Sequence, residues 1–177
     1  ALRQCDPIRL GEPALLRLEA HLATGIGRIL HRSLLPEACE RGSFFAPTLI
    51  ALDDPLQLRS EVFGPILHVV RWRAGELDAV IDRIGASGYG LTLGVHSRID
   101  AVVERVRSRA RVGNLYVNRP MIGAVVGVQP FGGEGLSGTG PKAGSPWTLL
   151  RYATERCTSI DTTSAGGNAS LMAGGEG

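Results

Sequence analysis

Residues 113–144 read GNLYVNRPMIGAVVGVQPFGGEGLSGTGPKAG, and nine of these 32 residues are glycine. Ordering glycine costs backbone entropy, so such a density is typical of places where the backbone turns sharply or approaches a ligand or second strand. Apolar and polar side chains alternate in the first part, Gly113–Asn118, which predicts a short strand. The remainder is too apolar for a solvated linker and too rich in glycine for a helix. We therefore expect an ordered loop that folds over a pocket.

The segment that precedes this loop alternates between helical and strand patterns. Apolar residues recur at helical spacing in Glu76–Ala86 and Ile99–Arg109, whereas Tyr89–His96 and Gly113–Asn118 have the pattern of strands. Short connections between such elements predict an α/β layer with a mostly parallel sheet. Ligands of such sheets bind beyond the carboxyl ends of the strands. Because Asn118 and the glycine-rich loop follow such an end, we expect a binding site there.

The first 72 residues predict one more helix and three more strands. The helix runs from Pro13 to a glycine stop at Gly25. Gly27–His31 has the pattern of a short strand, and Phe44–Leu52 that of an edge strand or a broken strand, because it contains a proline. The segment ILHVVRW, which comes after a Gly-Pro turn at residues 64–65, predicts a buried strand.

Composition limits the class of protein. The chain has 177 residues, 44% of them hydrophobic, which suits one globular domain or part of a larger one. A formal net charge of +2 is too small to indicate a nucleic-acid partner, and we expect the arginines of residues 105–111 to form a solvated face. Neither the three cysteines nor the four histidines have metal-ligand spacing, and we take His68 and His96 as structural. Without a membrane span or a signal-peptide pattern, the sequence predicts a cytoplasmic protein.

Two segments of the chain resemble a known enzyme family. GNLYVNR followed by GVQPFGGEGLSGTGPKAG resembles the C-terminal catalytic-domain signature of the NAD(P)-dependent aldehyde dehydrogenases, in which N, PFGG and SGxG occur in that order. The similarity is greatest to glutamate-semialdehyde (pyrroline-5-carboxylate) dehydrogenases, and within them to the dehydrogenase end of bifunctional proline-utilisation proteins. It extends from about Gly42 to the end of the chain. The resemblance implies a C-terminal portion of the catalytic domain at residues 1–149, and an oligomerisation β-flap with a C-terminal tail at residues 150–177.

The resemblance implies a cofactor site in the segment RSEVFGP. Glu61 would accept hydrogen bonds from the nicotinamide ribose hydroxyls of NAD, since a carboxylate is a strong acceptor for a diol. Phe63 would pack against the nicotinamide end. Without the family, the alternative is a strand entry with an exposed glutamate and a phenylalanine in the core.

The resemblance also implies a substrate site in the glycine-rich loop. Backbone N–H groups of Gly123 and Ala124 would hold the α-carboxylate of glutamate semialdehyde, since successive N–H donors suit an anion. Phe131 would pack against the aliphatic part of the substrate. Some relatives have serine where this chain has Ala124, so one hydroxyl donor is missing here. The alternative for Phe131 is an ordinary core aromatic residue.

Two other motif matches in the loop have the wrong context. Gly133, Gly135 and Gly138 spell G-x-G-x-x-G, but a dinucleotide fingerprint should close a strand and open a helix, and prolines interrupt the residues after this one. Lys142 comes after Gly-Pro as in a phosphate loop, but Ala143 stands where serine or threonine is needed. We expect a glycine-lined pocket wall instead.

The catalytic residues of the family are not found among the matched segments. An aldehyde dehydrogenase needs a cysteine nucleophile and a general-base glutamate, and the family has these, with its nucleotide-binding half, upstream of this region. Cys5 lies in RQCDPIRLG, which resembles the segment after the nucleophile loop, and Cys39 and Cys157 have no nucleophile context. We therefore name no catalytic residue, and we expect the chain alone to lack dehydrogenase activity.

Two functions of different classes stay open at this point. The chain is either the C-terminal portion of an NAD-dependent glutamate-semialdehyde dehydrogenase or a non-catalytic module that assembles oligomers. In the first case its partners are the rest of the dehydrogenase, a proline dehydrogenase domain and further copies of the chain. The sequence TLLRYATER predicts a short helix, and Arg156–Thr163 predicts an edge strand. The resemblance implies that a strand pair here crosses to another subunit, and an unpaired exposed edge would otherwise invite uncontrolled pairing.

Overall fold

Helices and short strands alternate along the chain, as the sequence patterns predict. The computed structural model describes residues 8–125, 127–138 and 140–161. The helices are α1 (Glu12–Ala23), α2 (Leu77–Ala86) and α3 (Asp100–Arg109). The strands are β1 (Ile8–Arg9), β2 (Arg28–Arg32), β3 (Phe44–Phe45), β4 (Thr48–Leu52), β5 (Ile66–Val70), β6 (Tyr89–Gly90), β7 (Thr92–Val95), β8 (Asn114–Val117) and β9 (Glu134–Gly135). Short 3₁₀ segments lie at Glu37–Cys39, Pro55–Gln57 and Pro146–Tyr152.

The described strands form small mixed sheets. In the largest, β4 lies between β2, which is antiparallel to it, and β5, which is parallel. The strands β7 and β8 form a second parallel pair, while β1–β3 and β6–β9 are antiparallel pairs. The arrangement is an α/β fold in which α3 connects the parallel strands β7 and β8, as in a βαβ unit.

Two strand predictions need correction. The segment 44–52 is broken into β3 and β4 around Pro47, which lacks the N–H that a continuous ladder needs. However, β4 is a central strand, so the edge-strand interpretation is wrong. The predicted strand 89–96 is likewise divided at Leu91, because β6 pairs with β9 whereas β7 pairs with β8.

Helix α1 packs across the segment that leads into β5. Proline in its first turn and Gly25 after its end, with φ +64, confirm the predicted start and stop. Leu18 is 2% exposed and contacts Gly64, where an added Cβ would lie 2.6 Å from the Leu18 Cδ1 atom. Glycine thus lets the chain pass beneath the helix without displacing the buried Leu18 side chain. On one side of β5 the side chains of Leu67 and Val69 are exposed, so this strand is covered on one face, not on both.

A histidine pair links α1 to β5. The Nε2 atoms of His21 and His68 are 3.0 Å apart, and the rings meet edge to face. One Nε2 has to donate and the other has to accept, so at least one of the two rings is neutral. Burial lowers the pKa of His68 below its ordinary value of 6.5, and the neighbouring charge of His21 lowers it further. The contact agrees with the structural role that we expect for His68.

Helices α2 and α3 are joined by two matched ion pairs. Arg105 forms a two-pronged bond with Asp78, and Arg109 does the same with Asp82, with Nε to Oδ1 distances of 2.6 and 2.7 Å. In each pair the hydrogen bond from the arginine is the main cause that lowers the pKa of the carboxyl group. Arg107 pairs with Glu104 on its own helix. The arginine-rich run is thus an exposed face, as expected, but a neutralised one.

The core of the described chain is small. Phe45 is fully buried, and Ile50 and Leu52 alternate along β4 at 1% and 5% exposure. Ile81 of α2 and Val106 of α3 are the buried side chains of their helices. Many large apolar residues remain exposed, among them those near the C-terminal end: Trp147 at 67%, Leu149 at 76%, Tyr152 at 83% and Ile160 at 78%. So much exposed apolar area indicates an interaction surface.

The C-terminal predictions have mixed outcomes. The predicted helix is a 3₁₀ segment, Pro146–Tyr152. Residues 156–161 of the predicted edge strand have no strand structure, and residues 162–163 lie outside the described part of the chain. The β-flap therefore stays a prediction. A search of the described helices finds none that is long and apolar enough to cross a membrane.

The core predicts a sharp contrast between two phenylalanines. We expect Phe45→Ala to lower the free energy of unfolding by about 3–5 kcal/mol, because it leaves a cavity around a fully buried ring. Phe63→Ala, at a side chain that is 88% exposed, should change it by less than about 0.5 kcal/mol. Urea unfolding followed by circular dichroism measures both. Equal losses would contradict the assignment of Phe45 to the core.

The histidine pair predicts a pH dependence of stability. Because the pKa of His68 is lower in the folded chain than the ordinary 6.5, the unfolded chain binds the proton more readily. Above pH 6.5 His68 is neutral in both states and does not destabilise the fold. As the pH drops below that value, the unfolded chain takes up the proton first, and the free energy of unfolding falls. His68→Gln should flatten this part of the curve of melting temperature against pH. The control His96→Gln, which removes an exposed histidine, should leave the curve unchanged.

Candidate functional site

The predicted cofactor segment lies on the wall of a cavity. Residues 60–63 lead into β5 on the side on which α1 packs, and together with α1 they line an open cavity of about 380 Å³. Its lining consists of Arg17, Leu18, His21, Ser60, Glu61, Val62 and Phe63. Glu61 is exposed, and the Phe63 ring is 88% exposed. The alternative of a core phenylalanine is therefore wrong, and both side chains are accessible to a ligand.

The cavity presents a carboxylate, from Glu61, and an aromatic ring, from Phe63. An exposed carboxylate can accept hydrogen bonds from hydroxyl groups, and an exposed aromatic ring offers a flat apolar surface. Arg17 and His21 add cationic or polar groups from α1. Sequence reasoning did not select these two residues, because nothing local indicates that the α1 face opposes residues 60–63. Among the described residues, no group of three potential metal ligands exists.

The first part of the predicted substrate loop presents unpaired backbone donors. Gly123 has φ +71, in the left-handed region that favours glycine, and an added Cβ would meet nothing within 4 Å. Among the described residues, the N–H groups of Gly123 and Ala124 donate to no protein acceptor. Two successive N–H groups without an internal partner, on an open surface, form an arrangement suited to an anion.

Gln129 closes this part of the loop. Its Oε1 accepts hydrogen bonds from the Val125 N–H, at 3.0 Å, and from the Tyr116 hydroxyl, at 3.4 Å. The Val125 carbonyl accepts the N–H of Gln129 at 2.8 Å. These bonds tie the end of the loop to β8, so the residues just before Val125 are held in place from one side.

The second part of the loop holds Phe131 with its ring outward. The ring is 59% exposed, so the core-aromatic alternative is wrong here too. Its backbone is fixed by a two-way bridge to Ala143, with N to O distances of 2.9 and 2.7 Å. The preceding carbonyl, of Pro130, accepts a hydrogen bond from Asn114 Nδ2 at 3.0 Å. The backbone is thus fixed while the side chain remains available.

The two motif matches lack the geometry of nucleotide-binding motifs, as expected, whereas the expected glycine-lined pocket wall stays a prediction. Gly133 and Gly135 lie in and next to β9, where an added Cβ would overlap the carbonyl groups of Gly90 and Gly88. The G-x-G-x-x-G therefore permits close strand contact and does not open a helix. Lys142 donates its Nζ hydrogens to the Gly113 carbonyl and to Asn114 Oδ1 and has no phosphate-loop geometry.

The structure thus places the predicted residues in two groups on different elements. Glu61 and Phe63 line the cavity beside α1, whereas Gly123, Ala124 and Phe131 lie on the loop after β8. Cys39 is buried, Cys157 is exposed, and Cys5 lies outside the described residues. Asn114, Gln129 and Lys142, which hold the loop, were not predicted, because their partners lie 13 to 29 residues away in the sequence.

Comparison with known proteins gives one consistent family. The aldehyde dehydrogenase family matches residues 17–157. Bifunctional protein PutA of Escherichia coli is 64% identical over 117 residues, which are 66% of this chain and 9% of that protein. The 1-pyrroline-5-carboxylate dehydrogenase of Bacillus subtilis is 39% identical over 121 residues, 67% of this chain and 23% of that protein. The chain thus spans less than a quarter of the length of either relative.

Solved structures agree with the sequence matches. A crystal structure of Bradyrhizobium japonicum proline utilization A matches 88% of this chain and 16% of its own, with a TM-score of 0.78 and 54% identity. A 1-pyrroline-5-carboxylate dehydrogenase from Thermus with bound NAD matches 76% of this chain and 26% of its own, with a TM-score of 0.67 and 34% identity. Sequence and fold together lead to one conclusion: the chain belongs to the aldehyde dehydrogenase family of oxidoreductases.

Proposed function

We propose that the chain is the C-terminal portion of an NAD-dependent L-glutamate γ-semialdehyde (pyrroline-5-carboxylate) dehydrogenase that acts in proline catabolism. The reaction oxidises the aldehyde carbon to a carboxylate, which yields glutamate. Support comes from the names of the relatives, PutA and 1-pyrroline-5-carboxylate dehydrogenase. Because the chain covers only part of each relative, the activity belongs to the complete enzyme.

The observation that carries the proposal is the loop after β8. It combines two unpaired backbone N–H groups, at Gly123 and Ala124, with the exposed ring of Phe131. Such a surface suits a ligand with an anionic end and an aliphatic body. Glutamate semialdehyde has an α-carboxylate at one end, a short aliphatic chain and the reactive aldehyde at the other end. The loop is thus suited to hold the end that does not react, which directs the aldehyde away from it.

Residues of the cavity beside α1 are suited to NAD. When bound, NAD accepts the hydride that leaves the aldehyde carbon during oxidation. Glu61 would accept hydrogen bonds from the nicotinamide ribose diol, and Phe63 would pack against the nicotinamide end. The exposure of both side chains supports this assignment, since a ligand can reach the Glu61 carboxylate and the Phe63 ring. The nucleophilic cysteine and the general base would come from the rest of the enzyme.

A second candidate, oligomer assembly without catalysis, rests on the exposed C-terminal residues. Leu150, Tyr152 and Ile160, which lie within residues 150–161, are each more than 60% exposed. We propose that residues 150–177 form an oligomerisation flap and tail, separate from the catalytic portion at residues 1–149. Assembly is compatible with catalysis, so the flap belongs to both candidates. Other partners proposed here are the remaining dehydrogenase segments and a proline dehydrogenase domain, as the word bifunctional in the relatives' name suggests.

We predict that Glu61→Ala in the complete enzyme raises the KM for NAD. The ribose would lose a charged acceptor worth about 1.5–3 kcal/mol, or about a 10- to 150-fold change. The KM for the semialdehyde should change little. Glu40→Ala, which removes an exposed carboxylate away from the cavity, is the matched control. Steady-state kinetics with NAD as the varied substrate tests this, and an unchanged NAD KM would refute the role of Glu61.

The experiment that tests the proposed substrate is Gly123→Val in the complete enzyme. A branched side chain at φ +71 strains the backbone and obstructs the carboxylate that the loop would bind. We expect kcat/KM for glutamate semialdehyde to fall about 100-fold, through lost charge-assisted bonds. Propanal, which has no carboxylate, should lose much less.

The control for backbone strain is Gly75→Val. Gly75 has φ +95 and open space around its Cβ position, but it lies before α2, outside the loop. It should affect the melting temperature as Gly123→Val does and leave the ratio of the two substrates unchanged. An equal fall for both aldehydes in Gly123→Val would exclude the carboxylate anchor, and turnover of neither aldehyde by the wild-type enzyme would refute the proposed function itself.

A further inference from the structure

The sequence contains a single lysine. Of its 19 basic residues, 18 are arginine and one, Lys142, is lysine. The two residue types differ in shape: lysine ends in a compact ammonium with three donors, whereas arginine ends in a planar guanidinium fork. All other basic residues of this chain are arginines, so we compared the contacts of Lys142 with those of the arginines.

The contacts of Lys142 differ from those of the paired arginines. Its Nζ donates to the Gly113 carbonyl and, at 3.0 Å, to Asn114 Oδ1, and both acceptors are neutral. The side chain is half-buried, and in the described residues it forms no ion pair with a carboxylate. The described ion pairs of the chain are all made by arginines. Lys142 therefore donates to two adjacent residues, Gly113 just before β8 and Asn114 at its start. A compact ammonium suits two acceptors that lie so close together.

The Asn114 amide faces Lys142 with its oxygen and Pro130 with its nitrogen. Because Oδ1 of Asn114 accepts from the ammonium, the Nδ2 group is directed to the other side, where it donates to the Pro130 carbonyl at 3.0 Å. Proline has no N–H, so this carbonyl is the backbone hydrogen-bonding group by which residue 130 can be fixed. The amide thus connects the Lys142 ammonium, through two hydrogen bonds, to the peptide that precedes Phe131.

The backbone next to Lys142 holds Phe131 from the other side. Ala143 exchanges two hydrogen bonds with Phe131. The Lys142 carbonyl accepts the Thr148 hydroxyl at 2.6 Å, which anchors this segment in turn. The exposed ring of Phe131 therefore depends on residues 142 and 143 for both of its backbone restraints.

We propose that Lys142 is a positioning residue for substrate binding. It sets the Asn114 amide, and through it the Pro130–Phe131 peptide, so that the backbone carrying the Phe131 ring is held at a fixed place in the loop that also carries the Gly123–Ala124 donors. It does not touch the substrate. Lys142 should favour the binding of aldehydes that have an aliphatic body and a distant carboxylate. Such substrates need the Phe131 ring and the Gly123–Ala124 N–H donors at a fixed separation. This inference rests on the proposed function.

Two variants of the complete enzyme test the proposal. Lys142→Met keeps the length of the side chain and removes the donors, whereas Asn114→Leu keeps the Lys142 bond to Gly113 and interrupts the path to Pro130. For both we expect the KM for glutamate semialdehyde to rise about 3- to 10-fold, the effect of one hydrogen bond. The KM for NAD, the kcat with saturating semialdehyde and the kcat/KM for propanal should stay within about twofold of wild type. Arg111→Met is the matched control, because it removes an exposed cation from the same region without touching Asn114.

The double variant and the melting temperature separate positioning from simple stability. If Lys142 acts through Asn114, the double variant should have the semialdehyde KM of either single variant, not the product of the two effects. A lower melting temperature with unchanged KM values, or equal losses for all substrates, would overturn the proposal. If Lys142→Met does not fold, Asn114→Leu decides alone, and a wild-type KM in that variant overturns the proposal. A wild-type enzyme that does not oxidise the semialdehyde would instead refute the proposed function.

Discussion

Backbone contact that only glycine permits is the constraint on which this fold depends. Around β6 and β9 the chain passes so close to itself that a Cβ on Gly113 would overlap Gly132, and one on Gly133 would overlap Gly90. The part of the glycine-rich segment around Gly132–Gly135 thus lies directly on these strands. The entropy cost of ordering these glycines is offset by hydrogen bonds such as Gly113 N–H to the Gly90 carbonyl, at 2.9 Å. The predicted substrate loop therefore begins and ends in the sheet layer.

The sequence predicts local structure here far better than it predicts partners. The helices α1, α2 and α3 were predicted almost to the residue, because their apolar spacing and end signals are contained in each segment. The division of residues 89–96 was not predicted, since it arises from a change of partner between β9 and β8. The central position of β4 also depends on a distant strand, β5, and the proline before it gave the opposite indication.

The same distinction applies to the candidate site. Glu61, Phe63, Gly123, Ala124 and Phe131 could be named from short motifs and a family resemblance, and their exposure and backbone geometry are compatible with the expected roles. Residues that hold the site could not be named in this way. Gln129 meets Tyr116 across 13 residues, and such pairs leave no periodic or compositional pattern in either segment. Exposure was the least predictable property, because Phe63 and Phe131 have the residue type of a core and the surroundings of a surface.

The paired ions between α2 and α3 have a consequence for how these helices stay together. Asp78 and Asp82 are one turn apart, as are Arg105 and Arg109, so the correct alignment satisfies two pairs and a slip of one turn satisfies only one. The pairs are exposed and screened by salt, whereas the burial of Ile81 and Val106 does not depend on charge. In concentrated salt the two pairs should therefore add less to the preference for this register, while the apolar packing of each helix remains.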